Sequence, residues 1–296
     1  MMGYLYLFLA LVGGLVKGFS GKKISGDVHT LKDCFFVNFL RVLFCAAISF
    51  LVLIFKSSES FALPQLVHLP FYLFSAICMA TFCVVFMFGY KTAAYMYLSV
   101  FGMLGSVITG FLGVLIYNEP LSAGKLFGMI MLIAAVVIMA KYNKAITLRK
   151  TVKILPLLIL AAVSVALSDF SQKIYVYEIG SSATVYNFYT YAFSALLLLP
   201  AFLLAKGSLI KDSAPLLSRH HLLLCLLIAA ALFLNSFSKT LAARYLSSAE
   251  IYPVLQGVNL IASAALAHIF LKEKITKRCL LGMAVAFCGL MMMNFF

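Results

Sequence analysis

Residues 242–293 read AARYLSSAEIYPVLQGVNLIASAALAHIFLKEKITKRCLLGMAVAFCGLMMM. Two apolar segments, at roughly 248–271 and 275–296, lie on either side of the charged separator KEKITKR. A helix of about 20 apolar residues crosses a hydrocarbon core of roughly 30 Å, and each segment has that length. The stretch therefore predicts two membrane-spanning helices joined by a short polar loop.

The rest of the chain has the same character. Of its 296 residues, 64% are hydrophobic and 11% are charged, against about 45–50% and about 25% in an ordinary soluble domain. No polar stretch is long enough to fold in water, so the prediction is one all-α integral membrane domain of ten transmembrane helices. The segments lie at roughly 3–21, 33–55, 69–90, 95–117, 122–141, 154–174, 183–205, 220–239, 248–271 and 275–296.

The sequence repeats itself at about half its length. A shift of 154 places Glu119 on Glu273, at the last helix of each half, and a shift of 149 places Asn38 on Asn187. Two five-helix halves are predicted, residues 1–148 and 149–296. Because five is odd, the second half enters the membrane from the opposite side. Such inverted-topology repeats place the substrate site near the midplane, between the halves.

The fourth helix of each half has a stripe of small or short polar residues, one per turn. The first-half stripe is Gly105, Thr109 and Gly113, and the second-half stripe is Asn259, Ser263 and Ala267. Small residues let two helix backbones approach closely in lipid, so a structural role is expected for Gly105 and Gly113.

The arrangement of ten helices as five plus five, with an acidic residue after helix four (NEPL) and after helix nine (KEKI), resembles the drug/metabolite transporter superfamily. Residues 242–293 look like the second-half signature of its EamA-like branch, and the resemblance covers essentially the whole chain. It implies that helices four and nine cross near a two-fold axis beside a central cavity. It also implies uptake or export of small polar metabolites.

The formal charge is +14, from 23 Lys and Arg against 9 Asp and Glu. Basic residues concentrate in the loops after odd-numbered helices, with sixteen there and five in the loops after even-numbered helices. This asymmetry predicts cytoplasmic odd loops and external termini in a plasma or inner membrane. The charge is not clustered on one soluble face, so the lipid bilayer is the expected partner and nucleic acid is not.

Ionisable residues inside a span are costly, so each suggests a function. Lys17, about two thirds along the first helix, either binds a carboxylate or phosphate of a solute or snorkels to the interface. Asp169 in the sixth helix lies next to the position equivalent to Lys17 under a shift of 151, so both are expected to face one cavity. Three roles are open: an ion pair between the halves, a clamp on a zwitterion, and proton coupling by Asp169.

Other polar residues in the predicted helices are candidate solute ligands. Arg41 shares a helical face with Asn38 and is either an ion pair or interface anchor, or a clamp for a carboxylate. Tyr252 beside Pro253 is the aromatic candidate, since proline can free a backbone carbonyl to face the cavity. The amides either join helices or bind the solute; they are Asn38, Asn187, Asn235, Gln256 and Asn259.

Glu119 and Glu273 come just before the last helix of each half, where a carboxylate can cap backbone N–H groups, so a structural role is expected. The sequence contains no metal-ligand spacing, P-loop or hydrolase motif. No metal, cofactor or enzymatic activity is therefore expected. Energy is expected from a coupling proton or an exchanged solute, and the monomer is the favoured oligomeric state.

These observations favour a secondary-active carrier that moves a small zwitterionic or anionic solute, such as an amino acid, by alternating access. Two alternatives remain: a membrane-embedded enzyme or lipid-handling protein, and an exporter of organic anions or sugar-phosphate-like solutes. A channel would need continuous polar rows through several helices, and the apolar, Gly-rich stripes argue against it.

Overall fold

A computed structural model of the chain describes residues 2–55, 66–92, 95–140, 148–179, 182–205, 218–271 and 276–295. These residues form ten α-helices and no strand, with a 3-10 turn before the third helix and a π-helical turn after the sixth. The ten helices predicted from hydropathy are confirmed. They are α1 (Met2–Ile24), α2 (Leu31–Phe55), α3 (Leu69–Thr92), α4 (Tyr95–Tyr117), α5 (Ala123–Ala140), α6 (Leu148–Ile174), α7 (Ala183–Leu204), α8 (Arg219–Ala242), α9 (Ser248–Leu271) and α10 (Lys277–Phe295).

The largest difference from the predicted ends is at α6. This helix begins at Leu148, whereas hydropathy predicted a start near residue 154. Its first turns are the basic stretch LRKTVK, and Pro156 lies inside the helix. Hydropathy detects only the apolar part of a span, so a polar helical extension outside the hydrocarbon gives no signal.

Seven helices in the described part of the chain are long and apolar enough to cross a membrane: α1, α2, α3 and α6 to α9. The remaining three, α4, α5 and α10, contain shorter apolar stretches at Phe101–Tyr117, Ala123–Ile138 and Leu280–Met293. Large apolar side chains such as Phe8, Phe50 and Leu226 are exposed. An apolar surface of this kind is expected where lipid is the solvent.

The chain folds as two compact units. Unit 1 contains Met1–Lys91 and Ser171–Arg244, and unit 2 contains Thr92–Phe170 and Tyr245–Phe296. Each unit takes helices from both halves of the sequence. The repeat boundary between residues 148 and 149 concerns sequence similarity, and it stays a prediction.

In unit 1, α1 packs against α8, and α2 packs against both α7 and α8. The contact between α1 and α8 is close at Gly13. A Cβ atom at Gly13 would lie 2.7 Å from the carbonyl oxygen of Ala231 and 2.8 Å from the amide nitrogen of Asn235. The apolar core of this unit includes Ile24, Val28, Cys34, Val37, Met87, Cys225 and Ile228.

In unit 2, α4 packs against α9 and α5 packs against α10. The second contact depends on two glycines, because a Cβ atom at Gly128 would lie 2.5 Å from the carbonyl oxygen of Gly289. The reverse contact, from a Cβ at Gly289 to the carbonyl oxygen of Gly128, would be 2.9 Å. Without a hydrophobic force between helices in lipid, such close packing is a main source of helix association.

The Gly13→Ala substitution should destabilise unit 1. Because the added methyl would meet backbone atoms of α8, the two helices must separate, at a cost of about 1–3 kcal/mol. We expect a lower midpoint of thermal unfolding for the purified protein in detergent. Gly26→Ala is the control, since a Cβ there would meet only the Lys23 carbonyl oxygen, at 3.5 Å. An unchanged midpoint for Gly13→Ala would contradict the close contact.

Candidate functional site

Lys17 lies beside the close contact between α1 and α8. Its Nζ donates a hydrogen bond to Oδ1 of Asn235 over 3.3 Å and lies 4.9 Å from the ring centre of Phe82. The Nδ2 of Asn235 donates to the carbonyl oxygen of Ala10 over 2.6 Å, which orients the amide oxygen toward Lys17. A neutral amide and an aromatic ring face therefore hold the half-buried ammonium inside a candidate span.

Arg41 and Asn38 form a second polar group in unit 1. The Nη1 of Arg41 donates to Oδ1 of Asn38 over 2.8 Å. Arg41 is 3% exposed and Asn38 is fully buried. The Nε atom of Arg41 is buried without a hydrogen-bond partner among the described residues. The predicted pairing of Arg41 with Asn38 on one helical face is present in the structure.

Asn38 and Asn187, which the predicted repeat makes equivalent, form the same hydrogen bond in their own helices. The Nδ2 of Asn38 donates to the carbonyl oxygen of Cys34 over 2.9 Å, and the Nδ2 of Asn187 donates to that of Ala183 over 2.7 Å. Oδ1 of Asn187 is buried without a donor in the part of the chain that the structure describes. It can therefore accept a hydrogen bond from a further group.

A cluster of hydroxyls in unit 1 was not anticipated from the sequence. Oγ of Ser75 lies 2.6 Å from the hydroxyl of Tyr186, 3.2 Å from Oγ of Ser171 and 3.1 Å from Oγ1 of Thr190. All four side chains are buried. Serine and threonine are common in transmembrane helices because they can bond to their own backbone, so single hydroxyls give no signal in one sequence.

Gln172 is a further buried amide that sequence reasoning missed. Its Nε2 donates to Oγ of Ser236 over 3.2 Å, while its Oε1 has no donor among the described residues. The hydroxyl of Tyr191 donates to the carbonyl oxygen of Leu232 nearby on α8. These contacts join α6, α7 and α8 through polar groups inside unit 1.

Two lysines that were predicted to lie in loops, Lys173 and Lys239, are buried inside helices. Lys173, in the last turn of α6, is buried and donates to the carbonyl oxygen of Ala243 over 3.2 Å. Ala243 caps the C-terminus of α8, where a cation is favoured by the helix dipole. Lys239 is also buried, within α8.

Asp169 lies in unit 2, on the part of α6 that faces α4. Oγ of Ser106 donates to its Oδ2 over 3.0 Å, and Asp169 is 2% exposed. One turn before Asp169 on α6, the carbonyl oxygen of Ala166 accepts a hydrogen bond of 3.1 Å from Oγ1 of Thr109 on α4. Lys17 belongs to unit 1 and Asp169 to unit 2, so their shared cavity stays a prediction.

The three candidate ligands on α9 differ in accessibility. Tyr252 is fully buried, whereas Gln256 and Asn259 are half-buried. Oδ1 of Asn259 is a buried atom without a donor among the described residues. Ser263 donates to the backbone carbonyl of Asn259 and accepts from Oγ of Ser99 on α4 over 3.2 Å.

Glu119 caps a helix other than the one that follows it. Its Oε2 accepts a hydrogen bond of 2.7 Å from the backbone N–H of Ser248, at the start of α9. Glu250 also caps this helix end, because its Oε2 accepts from the N–H of Ser247 over 3.0 Å. Lys125 of α5 lies 2.8 Å from Oε1 of Glu250. Glu273, the predicted equivalent of Glu119, lies outside the described residues.

The two glycines expected to be structural both occupy close contacts of α4. A Cβ atom at Gly113 would lie 2.5 Å from Oγ of Ser248 and 2.6 Å from Oε2 of Glu119. A Cβ atom at Gly105 would collide with the carbonyl oxygen of Ala162 on α6. Asn118 follows the last residue of α4 and has a φ of 51°. Asparagine tolerates this left-handed backbone conformation, which turns the chain toward Glu119.

Within the described ranges, no three His, Cys, Asp or Glu side chains come together as they would around a metal ion. The expectations of no metal and no cofactor stay predictions.

Similarity to known proteins supports a membrane-carrier fold. The model of the EamA-like transporter family matches residues 1–141 and 152–295. One similar crystal structure has a TM-score of 0.74 and 11% sequence identity, and the match covers 99% of this chain and 96% of that chain. At this identity the likeness concerns the fold alone. No curated protein sequence matches the chain.

The Glu119→Ala substitution should destabilise unit 2, because it leaves the N–H of Ser248 without its buried acceptor. We expect a loss of about 1–2 kcal/mol in the free energy of unfolding. The measurement is thermal unfolding in detergent. Glu178→Ala, at an exposed carboxylate after α6, is the matched control and should have no effect. Equal stability of both variants would rule out the cap.

Proposed function

The chain belongs to the EamA-like transporter family, and from that membership we propose that it is a secondary-active carrier of small polar metabolites. Its solute is a zwitterion or anion of amino-acid size. All ten helices cross the membrane, and the two inverted five-helix halves alternate access to a site near the midplane.

One observation carries the proposal: side chains of opposite charge lie inside two candidate spans. Lys17 lies within the candidate span Met2–Ile24 and contacts Asn235 and Phe82. Asp169 lies within the candidate span Pro156–Ile179 and accepts a hydrogen bond from Ser106. Ionisable groups at such positions are expensive and usually functional. In this proposal Lys17 binds the negative end of the solute, and Asp169 binds its positive end or a coupled proton.

The inverted repeat is supported by the helix pairing. The pairs α2 with α7, α4 with α9, and α5 with α10 each join helices at equivalent positions in the two halves. The family model also matches two segments, one in each half. Asn38 and Asn187 add matching hydrogen bonds in α2 and α7. Equivalent elements that pair with each other are what a two-fold arrangement of repeats requires.

The remaining features of the proposal follow from charge and composition. The excess of Lys and Arg in the odd loops favours cytoplasmic odd loops and external termini. The energy source is a proton gradient or an exchanged solute, and the protein works as a monomer. The other proposed solute ligands are Asn38, Arg41, Asn187, Asn235, Tyr252, Gln256 and Asn259.

The Lys17→Ala substitution should weaken solute binding by about tenfold or more. A hydrogen bond to a charged group contributes about 1.5–3 kcal/mol, and about 1.4 kcal/mol is a factor of ten in affinity. A panel of amino acids and organic anions is scored by thermal shift and then by counterflow in proteoliposomes. Lys23→Ala, at an exposed lysine of the same helix, is the control. Unchanged affinity for a confirmed solute would remove Lys17 from the site.

The Asp169→Asn substitution separates the two roles proposed for this carboxylate. If Asp169 carries the coupled proton, net transport loses its pH dependence while counterflow continues. If it binds an ammonium group, affinity for amines falls and affinity for simple carboxylates does not. Glu178→Gln is the matched control. Preserved pH dependence together with preserved affinity for amines would exclude both roles.

A further inference from the structure

Arg41 is a buried cation that the sequence analysis left with two interpretations, an ion pair or interface anchor, and a carboxylate clamp. The residue is 3% exposed and lies within the α2 span Leu31–Phe55. Among the described residues no carboxylate pairs with it, and its Nε atom has no hydrogen-bond partner. Burying a charge is costly unless it is paired and hydrogen-bonded. Arg41 is therefore under-satisfied within the described part of unit 1.

The neighbours of Arg41 orient the guanidinium without neutralising it. The Nδ2 of Asn38 donates a hydrogen bond to the carbonyl oxygen of Cys34. Its Oδ1 accepts a hydrogen bond from Nη1 of Arg41. The amide is fully buried, so its orientation is held by packing as well as by these bonds. A planar guanidinium held at one nitrogen can offer its remaining N–H groups to the two oxygens of an acid group.

The surroundings of Arg41 also connect it with Lys17. Both residues belong to helices that pack against α8. Arg41 lies one turn before Cys45 of α2, whose Sγ donates to the carbonyl oxygen of Ala229 on α8, and Lys17 of α1 bonds to Asn235 on the same helix. An anion bound at Arg41 would lower the cost of burying its charge.

We propose that Arg41 binds a second acid group of the transported solute, so that the solute carries two carboxylates, or a phosphate, and not one carboxylate. This inference rests on the proposed carrier function and narrows its substrate class. Lys17 receives one carboxylate and Arg41 the other, or the two cations share the oxygens of one phosphate. A solute with a single carboxylate would leave Arg41 unsatisfied and would bind more weakly.

The test compares each diacid or phosphate with a counterpart that lacks one acid group. Wild-type protein in discs of zwitterionic lipid is titrated with succinate and succinamate, with L-glutamate and L-glutamine, and with glycerol 3-phosphate and glycerol. We expect at least one diacid or phosphate to bind about tenfold more tightly than its counterpart. Arg41→Gln should reduce that ratio to near one, and Arg41→Lys should retain part of it.

A stability measurement separates ligand binding from a merely structural role. If Arg41 awaits a solute anion, Arg41→Met removes an under-satisfied buried charge, so the solute-free protein should unfold at the same or a higher temperature. The stabilisation by the diacid should then be lost. A fall in the unfolding temperature of solute-free Arg41→Met, with the selectivity of Arg41→Gln unchanged, would overturn the proposal.

Three further outcomes are decisive. If no diacid or phosphate binds more tightly than its counterpart, the inference is wrong. If Lys17→Ala weakens binding while Arg41→Gln leaves the ratio intact, this inference fails and the carrier proposal survives. If anionic phosphatidylglycerol in the discs, and not the soluble acids, stabilises the protein through Arg41, the group is a lipid site and the inference is overturned.

Discussion

Close contact between helix backbones is the constraint on which the rest of this structure depends. In lipid the hydrophobic effect does not drive helices together, so association depends on van der Waals packing and on hydrogen bonds between helices. Gly13 brings α1 against α8, and Gly128 with Gly289 brings α5 against α10. The first contact also places Asn235 beside the backbone of α1, where its amide bonds to Ala10 and to Lys17. Asn235, a candidate solute ligand, therefore owes its position to the lack of a Cβ atom at Gly13.

Buried polar groups fall into two kinds. Some are satisfied by the protein itself, such as the Ser75 hydroxyl cluster and the Glu119 carboxylate on the N-terminus of α9. Others keep unused capacity, such as Nε of Arg41 and Oδ1 of Asn187 within the described residues. Buried hydrogen-bonding capacity costs free energy unless something satisfies it. The satisfied groups account for the architecture, and the unused capacity suggests where a polar solute binds.

The candidate site was only partly predictable. Lys17, Arg41 and Asp169 could be selected from one sequence because a charge within an apolar segment is unusual. The hydroxyl cluster could not, because serine and threonine occur in membrane helices for many reasons. Gln172 was missed, although it is an amide in a predicted helix like those that were selected. Glu119 was expected to cap a helix start. Its partner is the N–H of Ser248, 129 residues away along the chain, on a helix that local sequence could not identify.

The sequence by itself determined that the chain forms ten helices, because the length of an apolar segment is a local property that hydrocarbon thickness selects. It also identified the family, since the signature after residue 242 is contiguous. Only the tertiary structure decided which helices pair and that the buried Lys173 of α6 bonds to the C-terminal end of α8. It also decided that Arg41 has no carboxylate partner among the described residues. Those properties depend on contacts between segments far apart in the chain. Local sequence does not predict them, because many helix pairings are compatible with lipid. Close backbone packing and polar contacts between helices decide which pairing forms.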